Sequence, residues 1–325
     1  MDKRLFSGIR PSGTLHLGNY FGAIKNWVEL QDQYQCIFEI VDYHGLTTPF
    51  EPETLHKETL EMATGLLACG IDPQKSILTV QSYVSEQTEL AWILGALTPL
   101  GMLERMPTYK EKKEQFPDNL NLALLSYPVL MAADILAYKS DAVPVGEDQD
   151  PHLEFSRFIA DRFNKRFGNT FPLPQTLKTE APRILGLDGK NKMSKSMHNY
   201  IGLFETPEMI EEKLKGAFTD PKKIKKGSKG HPEKCNIFAL HKLFSLPDLV
   251  KTIEKDCERG NLGCVECKKI LAQNIAAYFG EIRTKYEELK RKPEEVKNIL
   301  LDGAEKAREI AGVNLEEIRK KIGVR

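Results

Sequence analysis

Three groups of residues combine reactive side chains with informative spacing. The first is Pro11-Ser12-Gly13-Thr14-Leu15-His16-Leu17-Gly18-Asn19-Tyr20, between a strand-like run and a helical one. Its glycines let a phosphate or a purine approach the backbone closely. A helix beginning here presents free N–H groups and partial positive charge, and His16 can donate to a phosphate oxygen. Gly13 and Gly18 have Walker A spacing, but Asn19-Tyr20 stands where that loop needs Lys-Ser/Thr, so a P-loop is excluded. The second group is Lys192-Met193-Ser194-Lys195-Ser196, in a polar, glycine-containing stretch. Two lysines three apart, flanked by serines, suit a mobile clamp on polyphosphate, because an ammonium acts as a point charge and needs no rigid fork. The third is Cys235, Cys257, Cys264 and Cys267, with 21, 6 and 2 residues between them. Four thiolates can hold Zn²⁺ or a [4Fe–4S] cluster, and a zinc ribbon normally offers two C-x2-C pairs where this chain has one.

The elements that must position these groups can be read from periodicity. Lys3 to Ile9, Cys36 to Val41, Ser76 to Val80 and Val143 to Val145 read as strands, the last interrupted by Pro144. Helices are predicted from about Gly18, with Tyr20, Ile24, Trp27 and Val28 on one face, from Pro52 to Gly70, and from about Glu86 to Leu97. This alternation predicts an α/β fold, a doubly wound parallel sheet of Rossmann-like type, with ligands beyond the carboxyl ends of the strands. From Thr206 onward the chain reads as helix, opened by a Thr206-Pro207 cap. The predicted division is a catalytic domain over 1–190, the lysine loop over 191–200, and an all-helical domain over 201–325 whose last helix can pack back on the first domain.

The chain has 325 residues, 28% of them charged, with Lys+Arg 46 balancing Asp+Glu 46. That excludes a histone-like polycation and an acidic disordered chain, but not a local basic face. Eight lysines between Lys213 and Lys234 face only Asp220 and Glu233, and Lys268 and Lys269 follow Cys267. Such a run can track nucleic-acid phosphates. The first twenty residues contain no apolar signal region, and the most hydrophobic window, Leu122 to Tyr138, is short and broken by Ser126, Pro128 and Asp134. A cytoplasmic protein without a membrane span is expected. In that reducing compartment clustered thiols read as a metal site, and Cys36 and Cys69 as core residues.

Together the first two groups resemble the paired HIGH and KMSKS signatures of class I aminoacyl-tRNA synthetases, with Asn19 in place of the final His. Ser126-Tyr127-Pro128-Val129-Leu130-Met131-Ala132-Ala133-Asp134-Ile135-Leu136 and Val143-Pro144-Val145-Gly146-Glu147-Asp148-Gln149 are similar to the tryptophanyl-tRNA synthetases, as are Phe6-Ser7-Gly8-Ile9 and Val41-Asp42-Tyr43-His44. The match covers at least residues 4–200, and the helical remainder fits that family's anticodon-binding domain. The resemblance implies activation of L-tryptophan with ATP and Mg²⁺ to tryptophanyl-adenylate and pyrophosphate, transfer to tRNA(Trp), and a homodimer. His16, Lys192 and Lys195 would stabilise the transferring phosphates. Arg10, Pro11, Ser12, Gly18 and Asn19 match the first ATP loop; Gly146, Glu147, Asp148 and Gln149 the ribose side; Ile184 the backbone adenine contact; and Met193, Ser194 and Ser196 complete the lysine loop. Asp134 would accept the indole N–H, a pairing that fits an acceptor-only carboxylate and a donor-only ring nitrogen. Phe6 and Val41 would wall the pocket, which His44, Tyr127, Met131, Ile135 and Gln149 complete. The closing C-x6-C-x2-C pattern is similar to that of a bacterial subset carrying a [4Fe–4S] cluster near the anticodon-binding surface, with Zn²⁺ the alternative. A tyrosyl-tRNA synthetase shares fold and signatures, but the MAAD segment and GEDQ loop speak against it. Intact Lys192 and Lys195 speak against a synthetase-derived nucleotide- or RNA-binding regulator.

Overall fold

The computed structural model describes residues 3–115, 117–146, 149–178, 184–225 and 227–324. In chain order the elements are β1 (Arg4–Ile9), α1 (Leu17–Asn19), a π-helical turn (Tyr20–Ile24), α2 (Lys25–Leu30), β2 (Gln35–Ile40), α3 (Asp42–Gly45), α4 (Pro52–Ala68), β3 (Ser76–Val80), α5 (Ser85–Gly95), α6 (Leu100–Leu103), α7 (Pro107–Gln115), α8 (Leu122–Ala137), β4 (Ala142–Val145), α9 (Asp150–Phe167) and β5 (Gln175–Lys178). Then come α10 (Pro207–Lys215), α11 (Asn236–Phe244), α12 (Pro247–Arg259), α13 (Cys264–Tyr278), α14 (Gly280–Lys290) and α15 (Pro293–Ile322).

The sheet runs β3-β2-β1-β4-β5, and every pair is parallel. The order reverses direction between β1 and β4, which is where doubly wound sheets open a ligand crevice. β2 is buried along nearly its whole length, as a strand covered on both faces must be. Pro144 sits inside β4, where a missing N–H would cost a ladder bond. The β1–β4 register is confined to Leu5 and Ala142, so the ladder has already parted on that side when Pro144 is reached. β5 is a strand that periodicity did not predict. Its sequence, QTLK, is short, partly exposed and not apolar, because an edge strand has one neighbour and little to bury.

The chain forms two compact units. Unit 1 comprises Met1–Gly13, Lys25–Glu180 and Leu289–Arg325, and so contains the sheet together with α15. The backbone of α15 lies directly on β3. A Cβ at Gly303 would fall 2.0 Å from the Leu78 carbonyl oxygen, so no larger residue fits there. Asn314 donates to the Ala137 carbonyl at 2.8 Å, and Arg319 reaches Glu89 on α5 at 2.7 Å. Unit 2 comprises Thr14–Ile24 and Ala181–Glu288. Its centre holds an aromatic cluster in which Tyr20, Phe21, Phe244, Tyr278 and Phe279 meet mostly edge-to-face. The Thr206 hydroxyl accepts from the Met209 N–H and caps α10 as its sequence predicts. Among the described residues, no helix is long and apolar enough to cross a membrane.

Candidate active site

Unit 2 brings residues 14–20 of the first phosphate-type signature together with the second. Leu15–Leu17 is stitched to Ile201–Leu203 by the Leu17 N–H to Ile201 carbonyl bond at 3.1 Å and the Leu203 N–H to Leu15 carbonyl bond at 3.0 Å. His16 is the N-cap of α1. Its Nδ1 accepts from the Gly18 N–H at 3.1 Å, and its own N–H donates to Asn19 Oδ1 at 3.1 Å. Because Nδ1 is an acceptor, a neutral His16 carries its proton on Nε2. Burial, then the charges of Lys195 and Lys192, push its pKa down from 6.5 to about 4. His16 is therefore a neutral donor at physiological pH. Met193 is buried, and its Cβ would lie 3.7 Å from a Cβ at Gly18. What requires glycine at position 18 is the His16 ring, whose Cε1 would lie 2.9 Å from a Cβ there.

The lysine loop is the far arm of a hairpin. Leu185 bridges Lys192, Met193 N–H donates to the Ile184 carbonyl at 3.3 Å, and Gly186 N–H to that of Asn191 at 2.8 Å. Two residues absent from the expected site hold it. Asp188 accepts from the N–H groups of Lys190 and Asn191 and from the Asn191 and Asn199 amides, which hold its carboxyl below the usual range. Asn199, 4% exposed, accepts from Ser194 N–H at 2.8 Å and donates to Asp188. The turn-forming string Asp188-Gly189-Lys190-Asn191 is the sequence signal for this device.

Unit 1 holds a dry polar layer around Asp134, which is 1% exposed. Both of its carboxyl oxygens accept from Gln81 Nε2, at 2.8 and 2.9 Å, and Oδ2 also bonds His44 Nε2 at 3.0 Å. The Tyr127 hydroxyl meets His152 Nε2 at 2.5 Å, and its ring packs edge-on to His44. Phe6 stacks on Tyr138 at 5.7 Å, and Val41 Cγ1 would sit 2.8 Å from a Cβ at Gly8. Met131 is half-buried and Ile135 fully buried on α8. Behind Asp134 the buried carboxyl of Glu39 accepts from Gln87 Nε2 at 2.8 Å and from the Tyr138 hydroxyl at 3.1 Å. Gln81, Glu39, Gln87 and Tyr138 were not among the expected site residues. Gln81 had a signal in sequence, since it directly follows β3, at the end of the strand where ligands bind. Glu39 had one too, as a carboxyl inside an apolar run.

Other expected residues are placed as follows. Arg10 donates to the Thr48 hydroxyl at 2.9 Å, and burial lowers its pKa. Pro11 is buried and Ser12 exposed, with its N–H bonded to the Arg10 carbonyl. Gly146 is exposed, and its carbonyl accepts from the N–H of Gln149, the N-cap of α9. Lys192 and Ser196 are exposed, Ser194 and Lys195 half-buried. Glu147 and Asp148 lie outside the described residues.

The family described as tRNA synthetases class I (W and Y) matches residues 2–280. A tryptophan–tRNA ligase of Deinococcus radiodurans is 46% identical over 98% of this chain and 98% of its own length, and that of Fusobacterium nucleatum is 43% identical over 99% and 98%. The crystal structure of tryptophanyl-tRNA synthetase from Campylobacter jejuni, complexed with ADP and tryptophan, superposes with a TM-score of 0.92 at 41% identity, covering 98% of this chain and 99% of that one. The chain belongs to the tryptophanyl-tRNA synthetases of class I. It is accordingly an aminoacyl-tRNA synthetase, a tryptophan–tRNA ligase.

In this synthetase the four spaced cysteines all belong to unit 2 and are half-buried. The thiols of Cys257 and Cys267 sense the charge of the others, and burial with that repulsion pushes Cys267 up to about 12. Among the described residues, no group of three or more His, Cys, Asp or Glu is placed to hold a metal ion. The lysine run of the synthetase is less uniformly available than its sequence suggests. Lys223 is buried, its ammonium donating to the Leu262 and Cys257 carbonyls at 2.7 and 3.1 Å. Carbonyls exposed by the end of α12 need a donor, and Lys223 serves as one. Lys213 pairs with Glu205, and Lys215 with Glu212 at 2.5 Å. Lys222, Lys225, Lys229 and Lys234 remain exposed, and Lys226 lies outside the described residues.

Proposed function

We propose that unit 2 supplies the phosphate chemistry and unit 1 the amino-acid pocket for tryptophan activation. The observation that carries this reading is His16, whose Nδ1 accepts from the Gly18 N–H so that a neutral ring keeps its proton on Nε2, in a place that feels the charges of Lys195 and Lys192. The tryptophan carboxylate attacks the α-phosphate of ATP, pyrophosphate leaves, and the adenylate then passes its acyl group to the terminal adenosine hydroxyl of tRNA(Trp). No protein nucleophile is required, since catalysis comes from positioning and from charge stabilisation where it develops. His16, Lys192 and Lys195 donate to the phosphate oxygens, with Ser194 and Ser196 beside them. Mg²⁺ bound with the ATP would supply charge neutralisation at the pyrophosphate. Asp134 accepts the indole N–H, and Phe6, Val41, His44, Tyr127, Met131, Ile135 and Gln149 shape the pocket. Arg10, Pro11, Ser12, Gly18, Asn19, Gly146–Gln149 and Ile184 serve ATP. Along the chain, residues 1–190 bind ATP and tryptophan, 191–200 close on phosphate, and 201–325, apart from α15, which packs on the sheet of unit 1, read the tRNA anticodon. Amino-acid-dependent pyrophosphate exchange tests the reading. Tryptophan alone should support it; equal exchange with tyrosine would overturn the pocket.

Cys235, Cys257, Cys264 and Cys267 are the residues that would hold a [4Fe–4S] cluster. A single zinc ion needs each sulfur about 2.3 Å away. A four-iron cluster takes one thiolate per iron, and these four cysteines with their closing C-x6-C-x2-C spacing supply that number. A cluster here would order unit 2, beside exposed lysines that can meet tRNA phosphates. Iron near four per chain after anaerobic purification supports it; zinc at one per chain would replace it. Homodimer formation in the cytoplasm completes the proposal; unit 1 exposes Trp92, Leu100 and Leu122 to 84%, 60% and 77%, apolar side chains that a second subunit would cover.

A further inference from the structure

The layer behind Asp134 holds a second carboxyl that tryptophan recognition as described does not use. Glu39 is fully buried on β2, within the face that also carries Phe6, Gly8 and Val41. It ties three elements together: its own strand, α5 through Gln87 at 2.8 Å, and the end of α8 through the Tyr138 hydroxyl at 3.1 Å. The Tyr138 ring in turn stacks on Phe6, the expected wall of the indole pocket, at 5.7 Å and 22°. Resting on the tryptophan-pocket reading, we propose that Glu39 is a positioning residue of that pocket, an uncharged carboxyl that fixes Tyr138 and Gln87 and leaves Asp134 to present the charge to the indole N–H.

The groups acting on Glu39 are all known from the elements packed against it. Asp134 and Tyr138 face it from α8, Asp42 from α3 and Gln87 from α5, while Glu86 acts on Tyr138. None of these is a cation. Burial, followed by the charge of Asp134, raises the Glu39 pKa well above the ordinary carboxyl value, against the pull of its two donors. Gln87 Oε1 is without a hydrogen-bond partner. If the Gln87 amide turns over, that oxygen can accept the Glu39 proton, and the exchange leaves the heavy atoms in place. An ionised Glu39 would place a second negative charge beside Asp134 in a layer already closed to water. Tryptophan therefore binds the form in which Glu39 is neutral, and ionisation at alkaline pH opposes binding.

The test is tryptophan-dependent pyrophosphate exchange by the full-length protein from pH 6.5 to 9.5, with the KM for ATP as the internal control. In the wild-type enzyme the KM for tryptophan should rise toward alkaline pH while that for ATP does not follow. Glu39→Gln keeps shape and hydrogen bonding but cannot ionise, so it should abolish that rise. Glu39→Leu strands Gln87 and the Tyr138 hydroxyl and should raise the KM for tryptophan about tenfold at pH 7, with kcat less affected. If Glu39→Leu does not fold, infrared difference spectra of wild type against Glu39→Gln decide instead. A protonated carboxylic carbonyl band at pH 7 supports the proposal, and a carboxylate band overturns it. An alkaline rise that persists unchanged in Glu39→Gln also overturns it. Asp134→Asn separates the two readings: if it leaves the tryptophan KM unaltered, the pocket itself is misplaced, whatever Glu39 does.

Discussion

In unit 2, Lys192 and Lys195 ride on a hairpin whose bonds are mostly between backbone groups and two small polar side chains, Asp188 and Asn199. In unit 1, Asp134 is fixed wholly by side chains, Gln81 and His44, in a layer with almost no access to water. The contrast follows from what each region must meet. Phosphate charge is large and unspecific in shape, so an exposed ammonium on a semi-rigid loop is adequate. An indole is apolar except at one N–H, so recognition needs a dry acceptor whose direction is fixed. The first arrangement tolerates change in its frame better than in its charges; the second tolerates change in neither.

Substitutions should expose that asymmetry. The largest effect expected is from Lys195→Ala, which removes charge where phosphate charge develops. It should lower kcat for exchange about 10²–10³-fold, with the tryptophan KM little changed. Pre-steady-state adenylate formation measures this, and an unchanged rate would make the loop a mere surface segment. Asp134→Ala leaves Gln81, His44 and the indole N–H without an acceptor. The indole N–H alone bears on tryptophan use, and at about 1–3 kcal/mol for its lost acceptor kcat/KM for tryptophan should fall up to about 100-fold while ATP binding holds. Next comes Asn199→Ala, which removes the bonds to Ser194 and Asp188 but leaves both lysines. A loss of about tenfold in kcat is expected; a loss equal to that of Lys195→Ala would mean the hairpin frame is as critical as the charges.

The smallest effect concerns His16. Its pKa is about 4 when folded and near 6.5 when exposed, so the unfolded chain takes up a proton that the folded chain refuses. The stability contributed by neutral His16 is fully present above pH 6.5 and is lost as pH falls from there toward 4. Urea unfolding at pH 7 and pH 5 should show a smaller decrease for His16→Asn than for wild type, and equal decreases would place the imidazole in water.

Much of the active centre was legible in the residues alone. The helix-opening glycine string, the two lysines three apart and Asp134 in its apolar turn each pair a reactive group with a local constraint, and local constraints are written in contiguous sequence. Four strands and the Thr206 cap were readable for the same reason. β5 was not, because an edge strand buries too little to need a pattern. Nor was the return of α15 to the sheet more than an option, since an amphipathic helix declares that it has an apolar face and not what covers it.

What the tertiary structure alone decided is which distant residues share one environment. Glu39, Gln81, Gln87, Asp134 and Tyr138 come from four elements, and their bonds span 48 to 99 residues. Whether a carboxyl is a surface charge, an acceptor or a proton holder depends on the dielectric and the donors around it, and packing sets both. Lys223 shows the same limit from the other side. In sequence it is one lysine in a basic run, but its ammonium caps the Cys257 and Leu262 carbonyls instead of facing a partner. Composition and spacing determined the chemistry this chain can attempt; burial, which no short window of sequence encodes, assigned each charged side chain its state.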